Sequence, residues 1–546
     1  MTADPLARLE SARRARPGAV EAESALRGAA AFVPADARSL ARFHDALLFL
    51  RAYPHSPRVL GLAEEGLARI PALVAGLEDL SELDDGAVAG IAGVPVAMPF
   101  SWAAASWLAR RDPSALRADW EAEDLPDRLA AFLPRFVPGL EELARVDANV
   151  PFRDFVDAAR GETPDAAWLA GRLSALPYPE TLKAELWEAL GLQLSWQPRP
   201  SDSRGLARFP SGAPFCSDAP FLSRRDVSVS TELAALPPLE RLTRREGAAV
   251  LDAARAAMAV RYRELPAFSA GDPSAVFRFD VGRGTTILVT GLERAARLPL
   301  RAGFGTLFVR NGVLVGYGDL HSALGRADVS FNVFYAFRDG ESAWLYARLL
   351  AVARAVTGAA QLSVDPYQVG LGNEEAIASG AFWFYRKLGF RSADPALERL
   401  ARREEARLAA APSRTPPALL RRLAAAPLLL DVPGETCALP DTVRLADLAL
   451  AAARRLAASG LVPEAFRARE SRRLARLLGL SAEDAGLRAL APFLALVDDL
   501  PAWPARDREN LAALVRAKAG PNERGYSRCF GSLPRLALAL ASVSGE

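Results

Sequence analysis

The spacing of apolar residues changes twice along this chain, and those changes limit the folds open to it. In the first part the spacing is helical, as in Leu40, Phe43, Leu47 and Leu50, with Pro54 as a stop. His44 and Arg51 lie off that stripe. Further helices are expected at 60–80, 125–136, 168–176 and 181–190, the last meeting Gly191. From 197 to 222 the composition shifts to Pro198, Pro200, Pro210, Pro214 and Pro220 among serines and glycines, which reads as a linker or an ordered surface loop. A helix at 246–262 follows, and the period then moves from 3.6 towards 2. Strands are expected at 275–279, 285–290, 305–310, 313–319 and 328–335. Asn311-Gly312 between two of them suits a type I′ hairpin turn. A helix at 341–356, a strand at 361–365 and a helix at 374–388 complete the mixed region. Beyond about residue 400 only helical patterns return, at 442–458, 466–478 and 511–518.

The expected class is therefore α+β: a central mixed sheet flanked by helices, between all-helical N-terminal and C-terminal regions. The divisions are a helical domain at 1–196, a Pro/Ser-rich linker or surface loop at 197–240, a mixed domain at 241–396 and a helical domain at 397–546. A length of 546 residues agrees with roughly three domains.

Composition narrows the function classes. Sixty-seven basic and 65 acidic residues leave a net charge of +2, which argues against a dominant phosphate-binding surface for nucleic acid. Cys216, Cys437 and Cys529 form no CxxC pair, and His44, His55 and His321 are scattered, so no metal site is expected. The cysteine usage suits a reducing cytoplasm. Residues 86–109 carry no charge, but Gly86, Gly90, Gly93, Pro95 and Pro99 interrupt them. A buried turn leading into a helix near 102–108 is expected there, not a membrane span.

Chemistry-bearing patterns concentrate in two elements. The first is Phe331-Asn-Val-Phe-Tyr-Ala-Phe337, then Arg338-Asp-Gly340-Glu-Ser-Ala343, leading into a helix charged only at Arg348 and Arg354. A strand entering a helix through a glycine turn presents backbone N–H groups that favour an anion such as a pyrophosphate. The second runs from Asn373 through Glu374, Glu375 and Ala376 to Phe384-Tyr385-Arg386-Lys387-Leu388-Gly389-Phe390. Asn373 suits an N-cap, the two acids complement the helix dipole, and Gly389 suits a helix stop. Gly380 inside this helix costs about 1 kcal/mol against alanine.

This second run is similar to the Asn-x-x-Ala … Phe-Tyr-x-Lys-x-Gly-Phe signature of the GNAT superfamily of acyl-CoA N-acyltransferases. The resemblance covers about residues 300–392. It implies that Asn373 contacts the pantetheine arm, that Tyr385 is the general acid protonating the departing thiolate, and that the tail after Phe390 packs as a further strand. The first element then corresponds to the family's pyrophosphate loop, Gln/Arg-x-x-Gly-x-Gly/Ala, with Arg338, Gly340, Ser342 and Ala343 as cofactor-binding residues. The loop is a degenerate form of that motif, departing from it in either of two registers. With Gly340 and Ser342 at the glycine and small-residue positions, Phe337 takes the Gln/Arg position. With Arg338 in register, Glu341 replaces the first glycine.

The resemblance implies transfer of an acyl group from acetyl-CoA or another acyl-CoA to an unidentified amine. Asp319, His321 and Asp328 are candidates for the family's general base, with nothing in the sequence to separate them. The alternative is a catalytically inactive scaffold or sensor of the same fold, whose helical flanks bind a protein partner. A third reading puts an aminoacyl-tRNA in the cleft, which the weak basic bias does not favour.

Overall fold

The computed structural model describes residues 4–16, 18–121, 124–140, 150–411 and 413–543. They form two compact units, neither of them continuous in sequence. One comprises residues 1–219, 249–270 and 310–314, the other 220–248, 271–309 and 315–546.

The first unit is mainly helical. Its helix Ala37–Ala52 begins at a capping box, with the Asp36 carboxylate accepting from the Ser39 N–H at 2.7 Å. Leu40, Phe43, Leu47 and Leu50 are buried as their spacing predicts, but so are His44 and Arg51. The proline-rich stretch explains the difference. Arg51 donates to the carbonyls of Gly205 (2.5 Å) and Ala207 (3.0 Å), and buried Arg204 pairs with Asp45 at 2.7 Å. The segment therefore carries buried polar partners for the helix instead of lying over its surface.

Three short strands are a correction to the expected all-helical N-terminal region. These are β1 (Val96–Met98), β2 (Leu116–Ala118) and β3 (Leu194–Trp196), with β3 central and both pairings antiparallel. Three residues are too few to show a period, so burial of Val96, Leu116 and Trp196 decides their conformation. They join a core rich in indoles: Trp102, Trp107, Trp168, Trp187 and Trp196. Each such side chain removes about 150–250 Å² from water, which alanine-rich helices cannot supply alone. The uncharged stretch 86–109 resolves into turns, β1 and the start of helix Trp102–Arg111. Among the described residues no helix is long and apolar enough to cross a membrane.

The second unit is α+β, with one large mixed sheet and flanking helices. Its strands are β4 (Leu239–Arg241), β5 (Gly271–Gly282), β6 (Thr285–Leu292), β7 (Ala302–Arg310), β8 (Val313–Ala323), β9 (Arg326–Val329), β10 (Asn332–Val333), β11 (Gln361–Val364), β12 (Arg391–Ser392) and β13 (Leu428–Asp431). Their order is β12-β13-β11-β9-β8-β7-β6-β5-β4, with β10 also on β8. The turn between β7 and β8 has φ of 48° at Asn311 and 75° at Gly312, as that dipeptide predicts. Every residue of β6, β7 and β11 is buried, as strands covered on both faces require.

The helix Ser342–Thr357 buries 13 of its 16 residues. Its two arginines are provided for: Arg348 pairs with Glu232 at 2.5 Å, and Arg354 donates to the Leu233 carbonyl at 2.8 Å. After it, β12 forms the expected strand beyond Phe390 by pairing with β13. That partner is the second correction, since Leu428–Asp431 was expected to lie in an all-helical C-terminal region. Leu428-Leu429-Leu430 sits between Pro427 and Pro433, too short for a helix, and inserts antiparallel between β11 and β12.

Candidate functional site

The sheet has one parallel ladder among its described pairings, and it is short. β9 and β11 pair through Arg326↔Gln361, Ala327↔Leu362 and Asp328↔Ser363, and then stop. At the last rung the Ser363 hydroxyl donates to the Asp328 carboxylate. Beyond it, β11 keeps its antiparallel partner β13 while the other strand continues along β8.

That continuation approaches β8 closely. A Cβ on Gly318 would collide with the carbonyl oxygen of Ser330, and one on Gly316 with that of Asn332. The Ser330 N–H donates to the Asp319 carbonyl at 2.9 Å and the Phe334 N–H to the Val315 carbonyl at 3.1 Å. Alternation then turns the peptide groups of Phe331 and Val333 to the edge that β11 has left. The Val333 carbonyl does face outward, since it accepts from the Arg338 Nε at 3.4 Å.

Aromatic rings fill the space beside the end of the ladder. Tyr346, from the helix Ser342–Thr357, has its ring centroid 5.0 Å from Phe331, 5.8 Å from Phe384, 5.3 Å from Tyr385 and 6.2 Å from Phe390. Phe331 stacks on Phe384 at 6.2 Å with nearly parallel planes. Tyr385 is 4% exposed, and burial raises its phenol above the ordinary range. A raised value makes the phenol a weaker acid, so any proton it donates depends on negative charge developing on the acceptor.

The loop before that helix places its residues as follows. Tyr335–Phe337 form a single 3₁₀ turn. Arg338 stacks 3.9 Å over the Tyr335 ring and pairs with Glu375 at 2.6 Å. Glu341, the acid that would sit awkwardly beside a pyrophosphate, is buried and turned to Arg283 at 2.6 Å, also accepting the Leu222 N–H at 3.0 Å. Gly340 and Ser342 are half-buried and Ala343 is buried. The N-cap residue of the helix that starts at Ser342 is Glu341, which makes no side-chain capping bond because its carboxylate is turned to Arg283, and no acid occupies the helix's first turn.

Asn373 is committed at both ends of its amide. It caps helix Glu374–Ser379 by accepting the Ala376 N–H at 3.1 Å, and it donates to the Tyr367 carbonyl at 3.2 Å. The expected single helix 374–388 is two helices, Glu374–Ser379 and Ala381–Arg386, separated by Gly380 at φ 70°. The break re-aims the aromatic run. Phe382 and Tyr385 become buried, while the Trp383 indole donates to Thr415 at 3.0 Å. Arg338 reaches this region through Glu375, two residues after Asn373. Tyr385 joins instead the ring cluster around Tyr346.

Strand register brings the three base candidates together. His321 stands opposite Asp328 on the β8–β9 ladder, and Asp319 follows two residues along β8 on the same face. Burial raises the Asp319 carboxyl, with His321 acting in the opposite direction. Two groups escaped the sequence reading. Tyr346 looked like one more apolar position of a buried helix. Ser363 had a readable signal, being a polar residue in an otherwise buried strand.

No protein-family model matches the chain, and no curated protein or solved structure matches it either.

Proposed function

We propose that the second unit is a GNAT-like acyltransferase that moves an acyl group from acetyl-CoA or another acyl-CoA to an amine. The observation that carries this reading is the early end of the β9–β11 ladder. It leaves an edge of outward-turned peptide groups at Phe331 and Val333, beside the aromatic cluster to which Tyr385 belongs through Tyr346 and Phe384. The sheet order supports it too, with an antiparallel meander, one parallel pair joined through a buried helix, and a closing strand after Phe390.

In this reading the pantetheine arm extends along the edge at Phe331 and Val333, pairing with it as a strand would. The diphosphate lies at the uncapped start of helix Ser342–Thr357, near Gly340, Ser342 and Ala343, with Arg338 as its cation. The amine attacks the thioester carbonyl, an outward N–H stabilises the developing oxyanion, and Tyr385 donates its proton to the departing thiolate. Asp319, His321 and Asp328, which strand register brings together, are the candidates for the base. Three free cysteines accord with a reducing cytoplasm as the compartment.

Calorimetric titration with acetyl-CoA and longer acyl-CoAs tests the reading. Saturable binding in the micromolar range is expected, and no heat at high micromolar ligand would sink it. One observation favours the inactive scaffold as second reading: Asn373 and Arg338 already have protein partners, and aromatic rings fill the space beside the ladder's end. Measurable acyl transfer that disappears in Tyr385→Phe would exclude it.

A further inference from the structure

The hydroxyl of Tyr346 is buried with no hydrogen-bond partner among the described residues, on a side chain with no exposed surface. Leaving such a group unsatisfied disfavours the folded chain, and phenylalanine would fill the same position without that penalty. The surroundings supply no relief. The ring is enclosed by Phe331, Phe384, Tyr385 and Phe390. Asp328 is the carboxylate whose charge acts on this phenol, and it already accepts from Ser363.

Its place in the fold gives the hydroxyl a use. Phe331 belongs to the chain segment that stays with β8, whereas Tyr385 and Phe390 belong to the segment leading into β12. Tyr346 therefore stands between the two sides of the sheet at the point where β9 and β11 cease to pair. A phenol there stays protonated at neutral pH, since burial and the nearby negative charge both hold its proton, and so it can donate a hydrogen bond.

We propose that Tyr346 is a ligand-binding donor: its hydroxyl bonds a neutral carbonyl oxygen, thioester or pantetheine amide, of an acyl-CoA held at the end of the β9–β11 ladder. The assignment rests on the acyltransferase reading above and adds a second phenol to the site, distinct in role from Tyr385. Tyr385 acts on the leaving sulfur during the reaction, while Tyr346 contributes to binding before it.

The test compares wild type with Tyr346→Phe in two measurements, urea unfolding without ligand and calorimetric titration with acetyl-CoA. The expected result is unfolding at the same or higher urea concentration, together with acetyl-CoA affinity weakened about tenfold, the loss of one hydrogen bond to ligand. A role in folding alone would not produce that pair. Wild-type binding with a Kd unchanged within about twofold in the variant would overturn the assignment. So would a variant that unfolds at clearly lower urea or fails to fold, because the hydroxyl would then have a structural partner. If wild type itself binds no acetyl-CoA or longer acyl-CoA, the acyltransferase reading falls and takes this assignment with it. The wild-type titration distinguishes that case from the others.

Discussion

In the acyltransferase reading proposed above, Tyr385 is the proton donor to the departing sulfur, and it is buried, with 4% of its surface exposed. Tyr385→Phe removes the donor and keeps the ring contacts with Tyr346 and Phe390. Steady-state kinetics should show kcat lowered by about 10²- to 10⁴-fold, while thermal unfolding changes little. His55 in the first unit carries a different burial effect. It is 5% exposed, neither ring nitrogen has a hydrogen-bond partner among the described residues, and burial, with Arg16 adding to it, lowers its pKa to about 4. The unfolded chain takes up a proton near pH 6.5 that the folded chain refuses. Stability from the neutral ring is thus complete above about pH 6.5 and declines as pH falls towards 4. The effect is about 2 kcal/mol after allowance for solvent near the ring. Urea unfolding at about pH 7.5 and about pH 4.5 checks it. Relative to wild type, His55→Gln should gain about that amount at the lower pH.

Among the elements, the β8–β10 pair tolerates little change. Its close approach depends on glycine at 316 and 318, where a side chain would meet backbone carbonyls that cannot swing aside. Gly318→Ala should cost about 1–3 kcal/mol of unfolding free energy and weaken acyl-CoA binding, because it displaces Ser330 and Phe331 together. The sequence shows these elements better than their relations. Helix and strand positions in the mixed region follow from apolar period and from Asn311-Gly312. Gly380 was visible as a weak point in a helix, but its role as a break depends on where Trp383 and Tyr385 find partners. Asn373 was legible as an N-cap, and its full use as one follows from Ala376 and Tyr367. Arg338 and Glu341 lie three residues apart, yet one reaches Glu375 and the other Arg283. Those partners come from distant segments, which local pattern does not encode. The same holds for Asp319, His321 and Asp328, which only strand register assembles.

At the scale of the molecule, the second unit is held by long-range polar clamps as well as by its sheet. Lys518 and Glu523 form a buried pair. The ammonium also donates to the Arg301 carbonyl at 3.0 Å, and the carboxylate accepts the Gly303 N–H at 3.2 Å. Nearby, the Tyr526 hydroxyl donates to the Leu300 carbonyl at 2.5 Å. Burial lowers the Lys518 pKa and Glu523 opposes it. Glu523→Ala leaves that ammonium buried without its counter-charge, and should cost about 3–5 kcal/mol in denaturant unfolding. A surface pair such as Arg455–Asp498 should give less than about 1 kcal/mol in the same assay.

The strand Leu428–Asp431 sets a condition on how this unit can be made. It lies between two strands that precede it in the chain, so β11 has no second neighbour and β12 no neighbour at all until it arrives. A ribosome must add some thirty-five residues after β12 before the gap can close. Throughout that interval the nascent chain carries an open, apolar sheet edge, which is where strands from other chains attach. A boundary drawn just after the Phe390 signature would make that transient state permanent. A fragment cut there should aggregate, however complete its signature looks.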